Sequence, residues 1–321
     1  MYIVALRDYI QLMRPWQWYK NLLVFLAIVF VDVPKEWPWS TIPAVFRLHY
    51  YPPLIAGFII LCAVSSAGYI VNDIEDIQKD TAHPEKRNRP LASGAASLRT
   101  AYGLAGTLLI GGLVSAYLLN SVFFLLVILY IINSQLYNYF FRNLAVVDVI
   151  AIAVGFIIRA IAGTFLIHVP FTSWLVIGVF FFALVLAFGK RKNELQLLGE
   201  DAPLHKPVFT QYTDAVLDQG IMMSATWVIF FYTLYCYENF RDVMQVQPIM
   251  LTVPIAAGII LRYVYLIQSG SPVGRKPHLA FKDKGILAGA IIFAVTLAWT
   301  LFFWVPVFNF FYELFPPLFP P

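Results

Sequence analysis

Nine apolar runs, each close to the length that crosses a membrane, recur along this chain, and no other feature narrows its fold so far. A bilayer core of about 30 Å takes roughly 20 apolar residues per helix. Between polar breaks the runs cover approximately residues 18–33, 53–71, 98–119, 121–139, 146–167, 172–188, 215–236, 248–267 and 285–308. Composition agrees: 60% of the 321 residues are hydrophobic and only 12% charged, with a mean hydropathy of +0.73. A soluble domain carries about twice that charge, so most of the outer surface must face lipid. Disorder, a coiled coil and a disulfide scaffold are excluded by the same numbers. The only two cysteines, Cys62 and Cys236, lie inside apolar runs and read as small hydrophobes. Residues 2–13 form an amphipathic pattern suited to lying along the membrane surface. Arg7, Asp8 and Arg14 precede any long apolar run, which argues against a cleaved signal peptide. The expected fold is all-α: a polytopic bundle of nine transmembrane helices with a short N-terminal amphipathic helix, in one domain over residues 1–321.

The cations orient this bundle. With the N-terminus cytoplasmic, Lys35, Arg47 and Arg241 alone among the 22 Lys and Arg fall on the outer side, and Arg159 lies within the fifth span. So one-sided a distribution is a strong positive-inside pattern, which an even number of spans would scramble. The net charge of +4 is therefore a membrane-sidedness signal, not a nucleic-acid surface. Any chemistry is expected at the cytoplasmic face, in motif loops at about 72–97 and 189–214.

The first of these loops opens Asn72-Asp73-Ile74-Glu75-Asp76-Ile77-Gln78-Lys79-Asp80. Continued as helix, Asn72, Asp76 and Asp80 share one face, with Asp73 a turn before Asp76. Like charges so close repel, and more strongly in a partly dehydrated mouth. A divalent cation relieves this, because Mg²⁺ binds one or two carboxylates while keeping waters and taking phosphate oxygens. Asp73, Asp76 and Asp80 are the candidate metal-ligating and catalytic residues. Downstream, His83-Pro84-Glu85-Lys86-Arg87-Asn88-Arg89-Pro90-Leu91-Ala92-Ser93-Gly94 sets three cations beside the acids. That pairing suits a ligand with more negative charge than one Mg²⁺ cancels.

The pattern Asn72-Asp73-x-x-Asp76-x-x-x-Asp80 followed by Asn88-Arg89-Pro90-Leu91-x-x-Gly94 resembles the first signature of the UbiA superfamily of intramembrane prenyltransferases. The resemblance implies a nine-helix bundle holding Mg²⁺–diphosphate at these aspartates. Members that prenylate aromatic rings carry a second aspartate-rich motif after the sixth span. Here that place reads Gly189-Lys190-Arg191-Lys192-Asn193-Glu194-Leu195-Gln196-Leu197, with only Glu194 left as an acid. Such cations repel a second metal and welcome a phosphate monoester. This motif, together with Arg14 to Asn21, Val147-Asp148-Val149, Gly155 to Gly163 and Leu261-Arg262-Tyr263, is similar to the polyprenyl-phosphate phosphoribosyltransferase subgroup. Gly274-Arg275-Lys276-Pro277-His278 departs from that subgroup in being basic.

What the resemblance implies is transfer of 5-phosphoribose from phosphoribosyl pyrophosphate to a membrane polyprenyl phosphate of decaprenyl type, with Mg²⁺ as cofactor and pyrophosphate released, for cell-envelope glycan precursors. Lys20, Arg87 and Arg89 are then assigned to the donor's phosphates, and Lys190 and Arg191 to the 5-phosphate or the lipid phosphate. Asn72, Arg159 and Glu194 complete the substrate-contacting set. The implied setting is the plasma membrane with the site facing the cytoplasm, and a homo-oligomer is compatible with it. The alternative is an aromatic or quinone-precursor prenyltransferase using a polyprenyl diphosphate; a transporter is disfavoured because the charged motifs crowd one face instead of the midplane.

Other polar residues inside apolar runs are costly and need partners. Asp148 and Arg159 stand three turns apart on one span, too far to pair directly, so each is expected to meet another segment. Asp214 and Asp218 form an i,i+4 acid pair, Tyr212 is a weaker substrate candidate, and the histidines show no ligand spacing.

Overall fold

The computed structural model describes residues 2–29, 47–82, 86–170, 173–240 and 247–304, with residues 307, 310, 313 and 314. Every regular element among them is helical. Among the described residues, seven helices are long and apolar enough to cross a membrane: Leu48–Glu75, Leu98–Leu119, Ser121–Tyr139, Val147–Leu166, Asp214–Glu238, Pro248–Gln268 and Lys284–Leu301. These match seven of the nine expected runs. The run at 172–188 lies on a further helix, Ser173–Leu198.

The chain divides into two compact units, the first made of Met1–Val31, Ala44–Thr172 and Leu198–Thr213. The second contains Asp32–Pro43, Ser173–Leu197 and Asp214–Pro321.

In the first unit, an α-helix covers Tyr2–Leu12 and Leu12 is fully buried. The run expected as an α-helical span from Trp18 is instead a 3-10 helix over Pro15–Phe25, followed by a single α turn at Leu26–Val29. Residues 30–33 of that run lie outside the described residues. Sequence spacing explains the tighter winding. Trp18, Asn21, Val24 and Ala27 recur every third residue, and a helix of three residues per turn stacks them on one face. Trp18 donates to Ser66 Oγ at 3.1 Å and Asn21 to Ser65 Oγ at 3.2 Å, while Val24 and Ala27 are buried. The 3-10 form also rises about 2.0 Å per residue against 1.5 Å for the α-helix, so a short run reaches farther.

Helix ends fall where the sequence supplies caps. Ser97 Oγ accepts from Thr100 N at 3.2 Å and starts Leu98–Leu119. Asn120, the single residue before Ser121–Tyr139, accepts from Phe123 N at 2.9 Å. Each such cap contributes about 1 kcal/mol. Leu54, Leu61, Phe123, Val127, Ile158 and Ala162 form the interior of this unit. In lipid the gain is close packing, not escape from water, so small residues mark the crossings. A Cβ on Gly163 would overlap the carbonyl oxygen of Val24, so only glycine lets the Pro15–Phe25 segment lie against Val147–Leu166.

The second unit contains Ser173–Leu198, Asp214–Phe240, Thr252–Gln268 and Lys284–Phe302. Asp283 caps the last of these, accepting from Ile286 N at 2.9 Å. Phe181, Trp227 and Phe231 stack with centroids 5.3–5.7 Å apart.

Candidate active site

The acidic motif lies at a bend between two helices. The long helix ends at Glu75, Asp76 is its C-cap, and a second helix runs Ile77–Ala82. The four-residue spacing survives the bend, since Asp76 N donates to Asn72 O at 3.0 Å and Asp80 N to Asp76 O at 2.8 Å. Asp73 and Asp80 are both buried, 3% exposed. They converge on one guanidinium: Arg89 Nη1 donates to Asp73 Oδ1 at 2.9 Å and to Asp80 Oδ2 at 2.5 Å. Arg14 pairs with Asp73 from another direction and lies 5.2 Å from the Tyr69 ring centroid. Lys86 Nζ stands 4.0 Å from Asp80. Asp76 faces elsewhere, 3.7 Å from Lys79 and 3.8 Å from Arg142. The expected trio of carboxylates is thus a buried pair with a third at its rim.

The loop that delivers Arg89 is built to hold it. Pro90 and Leu91 are buried, and Leu91 packs with Leu12, Ile70 and Ala101. Ser93 N donates to Arg89 O and Ala96 N to Pro90 O, both at 2.9 Å. Gly94 takes φ 76°, the left-handed turn conformation glycine permits without strain. Arg87 and Asn88 are exposed on the same loop. Asn72 exchanges two amide hydrogen bonds with Asn138, at 2.6 and 3.4 Å, tying the motif to Ser121–Tyr139.

Deeper in this unit, Arg159 is 5% exposed and has neutral partners. It donates to Asn21 Oδ1 at 2.9 Å, Gly155 O at 2.8 Å and Tyr130 Oη at 2.7 Å. Lys20 lies on the same 3-10 segment, its Nζ 6.0 Å from the Tyr19 ring centroid. Asp148, fully buried, accepts from Tyr212 Oη at 2.6 Å, and Val146 N donates to the same hydroxyl at 2.7 Å. The partners of Asp148 and Arg159 do come from other segments, one of them a loop. Val146 holds φ 69°, costly for a β-branched residue, and the Tyr212 and Gln211 bonds to residues 143–146 secure that turn.

The basic motif sits in the second unit, at the end of Ser173–Leu198, and its three cations differ. Lys190 is exposed. Arg191 is 2% exposed and donates to Glu194 Oε2 at 3.1 Å. Lys192 is buried in an ion pair with Asp218. That pairing accounts for one member of the Asp214–Asp218 pair, which acts as a tie between helices. Asn193 donates to Ile267 O at 2.9 Å, and a Cβ on Gly274 would overlap its side chain, so the 270–276 loop packs on this helix end.

Sequence reasoning missed four contributors: Arg14 as the partner of Asp73, Asn138, Asn21 and Tyr130. Three of these are polar groups inside apolar runs, the signal that singled out Asp148 and Arg159 and that was not applied to amides and phenols.

Among the described residues no group of three or more His, Cys, Asp and Glu is gathered closely enough to hold a metal by protein ligands alone. The two buried carboxylates nevertheless suit a hard cation. Both aim at one point that a guanidinium nitrogen now occupies, and Mg²⁺ needs only one or two carboxylates beside water and phosphate oxygens.

A bend-borne acid pair with a basic NRPL-type loop, on a helical membrane bundle, defines a class. The chain belongs to the UbiA prenyltransferase family, whose family model matches residues 39–282. Within it, the chain is 31% identical over 284 residues to the decaprenyl-phosphate phosphoribosyltransferase of Mycolicibacterium smegmatis, covering 86% of each chain. The protein of that name from Mycobacterium tuberculosis is 28% identical over 293 residues, covering 90% of this chain and 91% of its own. In fold, the chain is similar to a UbiA homolog from Archaeoglobus fulgidus bound to GPP and Mg²⁺, with a TM-score of 0.65 at 20% identity. That likeness covers 92% of this chain and 99% of the other.

Proposed function

We propose that this protein transfers 5-phosphoribose from phosphoribosyl pyrophosphate to a membrane polyprenyl phosphate. The observation that carries this is the near full-length similarity to decaprenyl-phosphate phosphoribosyltransferases. In the reaction the C1–O bond to pyrophosphate breaks, pyrophosphate keeping the electron pair, and a C1–O bond to a lipid phosphate oxygen forms. That oxygen is already anionic near neutral pH, so no strong general base is needed. Positioning and charge stabilisation supply the rate.

Asp73, Asp76 and Asp80 are the residues that would hold Mg²⁺, whose chemistry is to neutralise the departing pyrophosphate. Arg89 and Arg14, with Arg87 and Lys20, bind donor phosphates. Lys190, exposed at its helix end, receives a phosphate, and Arg191 with Glu194 orients that end. Asn72 fixes the acid-bearing helix through Asn138, and Arg159 anchors the interior below it. Two further features belong to the same reading. The 18–33 and 172–188 runs complete nine spans, supported by the 3-10 segment and the Ser173–Leu198 helix. Tyr2–Leu12 lies along the cytoplasmic surface of the plasma membrane, a sidedness supported by the distribution of cations.

Incubating the purified protein with each donor tests the proposal. Pyrophosphate release with phosphoribosyl pyrophosphate and polyprenyl phosphate is the expected result. Release that needs an allylic diphosphate and an aromatic acid instead would establish the prenyltransferase alternative.

A further inference from the structure

The buried acid pair already faces more positive charge than it carries. Among the described residues, three cations lie within 4.0 Å of Asp73 and Asp80: Arg14 on Asp73, Arg89 between the two, and Lys86 on Asp80. At the rim, Asp76 adds one acid and two more cations, Lys79 and Arg142. A divalent cation joining this set alone would enlarge the excess, and like charges oppose one another strongly where water is scarce. The carboxylates therefore accept a metal only when one of their cations withdraws and an anion arrives to hold it.

Arg89 is the cation built to withdraw. Its backbone is pinned, with Ser93 N donating to Arg89 O and Ala96 N to Pro90 O, and Leu91 is buried beside it. Its side chain is 29% exposed, so the guanidinium can turn outward while the loop stays in place. Both of its bonds to the acids come from one nitrogen, Nη1, which stands between Asp73 Oδ1 and Asp80 Oδ2 as a single hard cation would. Arg14 differs: it meets Asp73 alone, is less exposed at 18%, and lies over the Tyr69 ring. We infer that Arg89 is an internal stand-in for the metal. It holds Asp73 and Asp80 together until the donor's diphosphate draws its guanidinium away, so metal and donor bind as one event. Affinity for metal alone is then reduced by the small fraction of molecules whose guanidinium has left. This rests on the metal-site reading given above.

The test uses the full chain in nanodiscs of zwitterionic lipid and titrates Mn²⁺ alone, following the free ion by its EPR signal. Arg89→Gln should bind Mn²⁺ about 10- to 100-fold more tightly than the unaltered protein, the range for removing a competing charge-assisted hydrogen bond. Arg87→Gln takes the same charge from an exposed place on the same loop and should change that affinity by no more than about twofold. Adding Asp80→Asn to Arg89→Gln should abolish the gain. No gain in Arg89→Gln, or an equal gain in Arg87→Gln, would overturn the inference. Thermal midpoints give a second readout. Mg²⁺ alone should raise the midpoint of Arg89→Gln and not that of the unaltered protein, which should rise only with Mg²⁺ and inorganic pyrophosphate together. Stabilisation of the unaltered protein by Mg²⁺ alone would also overturn it, and this arm needs no variant, should Arg89→Gln fail to fold. Tight Mn²⁺ binding by the unaltered protein would sink the inference and leave the metal site standing, whereas no binding by any form, with or without pyrophosphate, would remove both. Pyrophosphate is common to phosphoribosyl and allylic donors, so neither result depends on which donor the protein uses.

Discussion

The acidic mouth of the first unit and the basic helix end of the second are mirror images in charge, yet both follow one rule. In each, the most deeply buried charges are paired within the protein. Asp73 and Asp80 share Arg89, while Lys192 is held by Asp218 and Arg191 by Glu194. At the rims, Asp76 is partly exposed beside Lys79 and Arg142, and Lys190 is exposed. A motif's net charge therefore overstates what it offers a substrate. Of three consecutive cations, one is exposed, one steadies its own helix and one ties two helices together.

If this division holds, rim and interior substitutions separate activity from stability. The largest effect is expected for Asp76→Asn, a lowering of kcat by about 10²-fold or more, as for other losses of a transition-state charge partner. Circular dichroism and the thermal midpoint should not change. Retained turnover would remove Asp76 from the metal site. Next, Lys190→Ala should raise KM for one phosphate substrate about 10- to 100-fold, the equivalent of a charge-assisted hydrogen bond of about 1.5–3 kcal/mol. Unchanged kinetics for both substrates would take Lys190 out of the site.

The interior pair should respond the other way. Lys192→Met is expected to cost about 1–3 kcal/mol of stability, between the values for exposed and fully buried ion pairs, because Asp218 is partly open. Adding Asp218→Leu should recover most of the loss, and KM should be unaffected in both variants. A kinetic defect without a stability defect would show that Lys192 serves substrate after all. The smallest effect concerns Asp283, whose carboxyl is held down to about 2 by the Arg262 hydrogen bonds and by Ile286 N. A depressed carboxyl contributes stability above its ordinary value, and that contribution fades as pH falls from about 4 through about 2. Thermal midpoints of Asp283→Asn should show a shallower acid dependence across that window.

Legibility followed the range of the physics. Runs of apolar residues and local caps act within a few positions, and Leu98–Leu119 and Ser121–Tyr139 begin and end where the sequence reading put them. The helix bend at Asp76 and the 3-10 winding of Pro15–Phe25 were not anticipated. The second has a readable trace in the three-residue spacing of Trp18, Asn21, Val24 and Ala27, but one that a search for 3.6-residue periodicity passes over. Asp148 and Arg159 could be read as needing distant partners, but which residues pair across long separations had no trace. Arg14 reaches Asp73 over 59 residues, and Lys192 finds Asp218 on another helix. The motif spelled out which charges matter without saying which of them are already spoken for.

Arg159 has a consequence for how the protein is made. Its guanidinium is capped by Asn21, 138 residues earlier in the chain, and by Tyr130 on a neighbouring helix. An arginine at the centre of an inserting helix costs about 2.5–3.5 kcal/mol. Val147–Leu166 is apolar enough to enter the bilayer despite it, with the guanidinium shared among Gly155 O on its own helix and partners from two earlier segments. Asn21, already within reach of Ser65, thus gains its contact to the guanidinium only once the fifth apolar run has emerged.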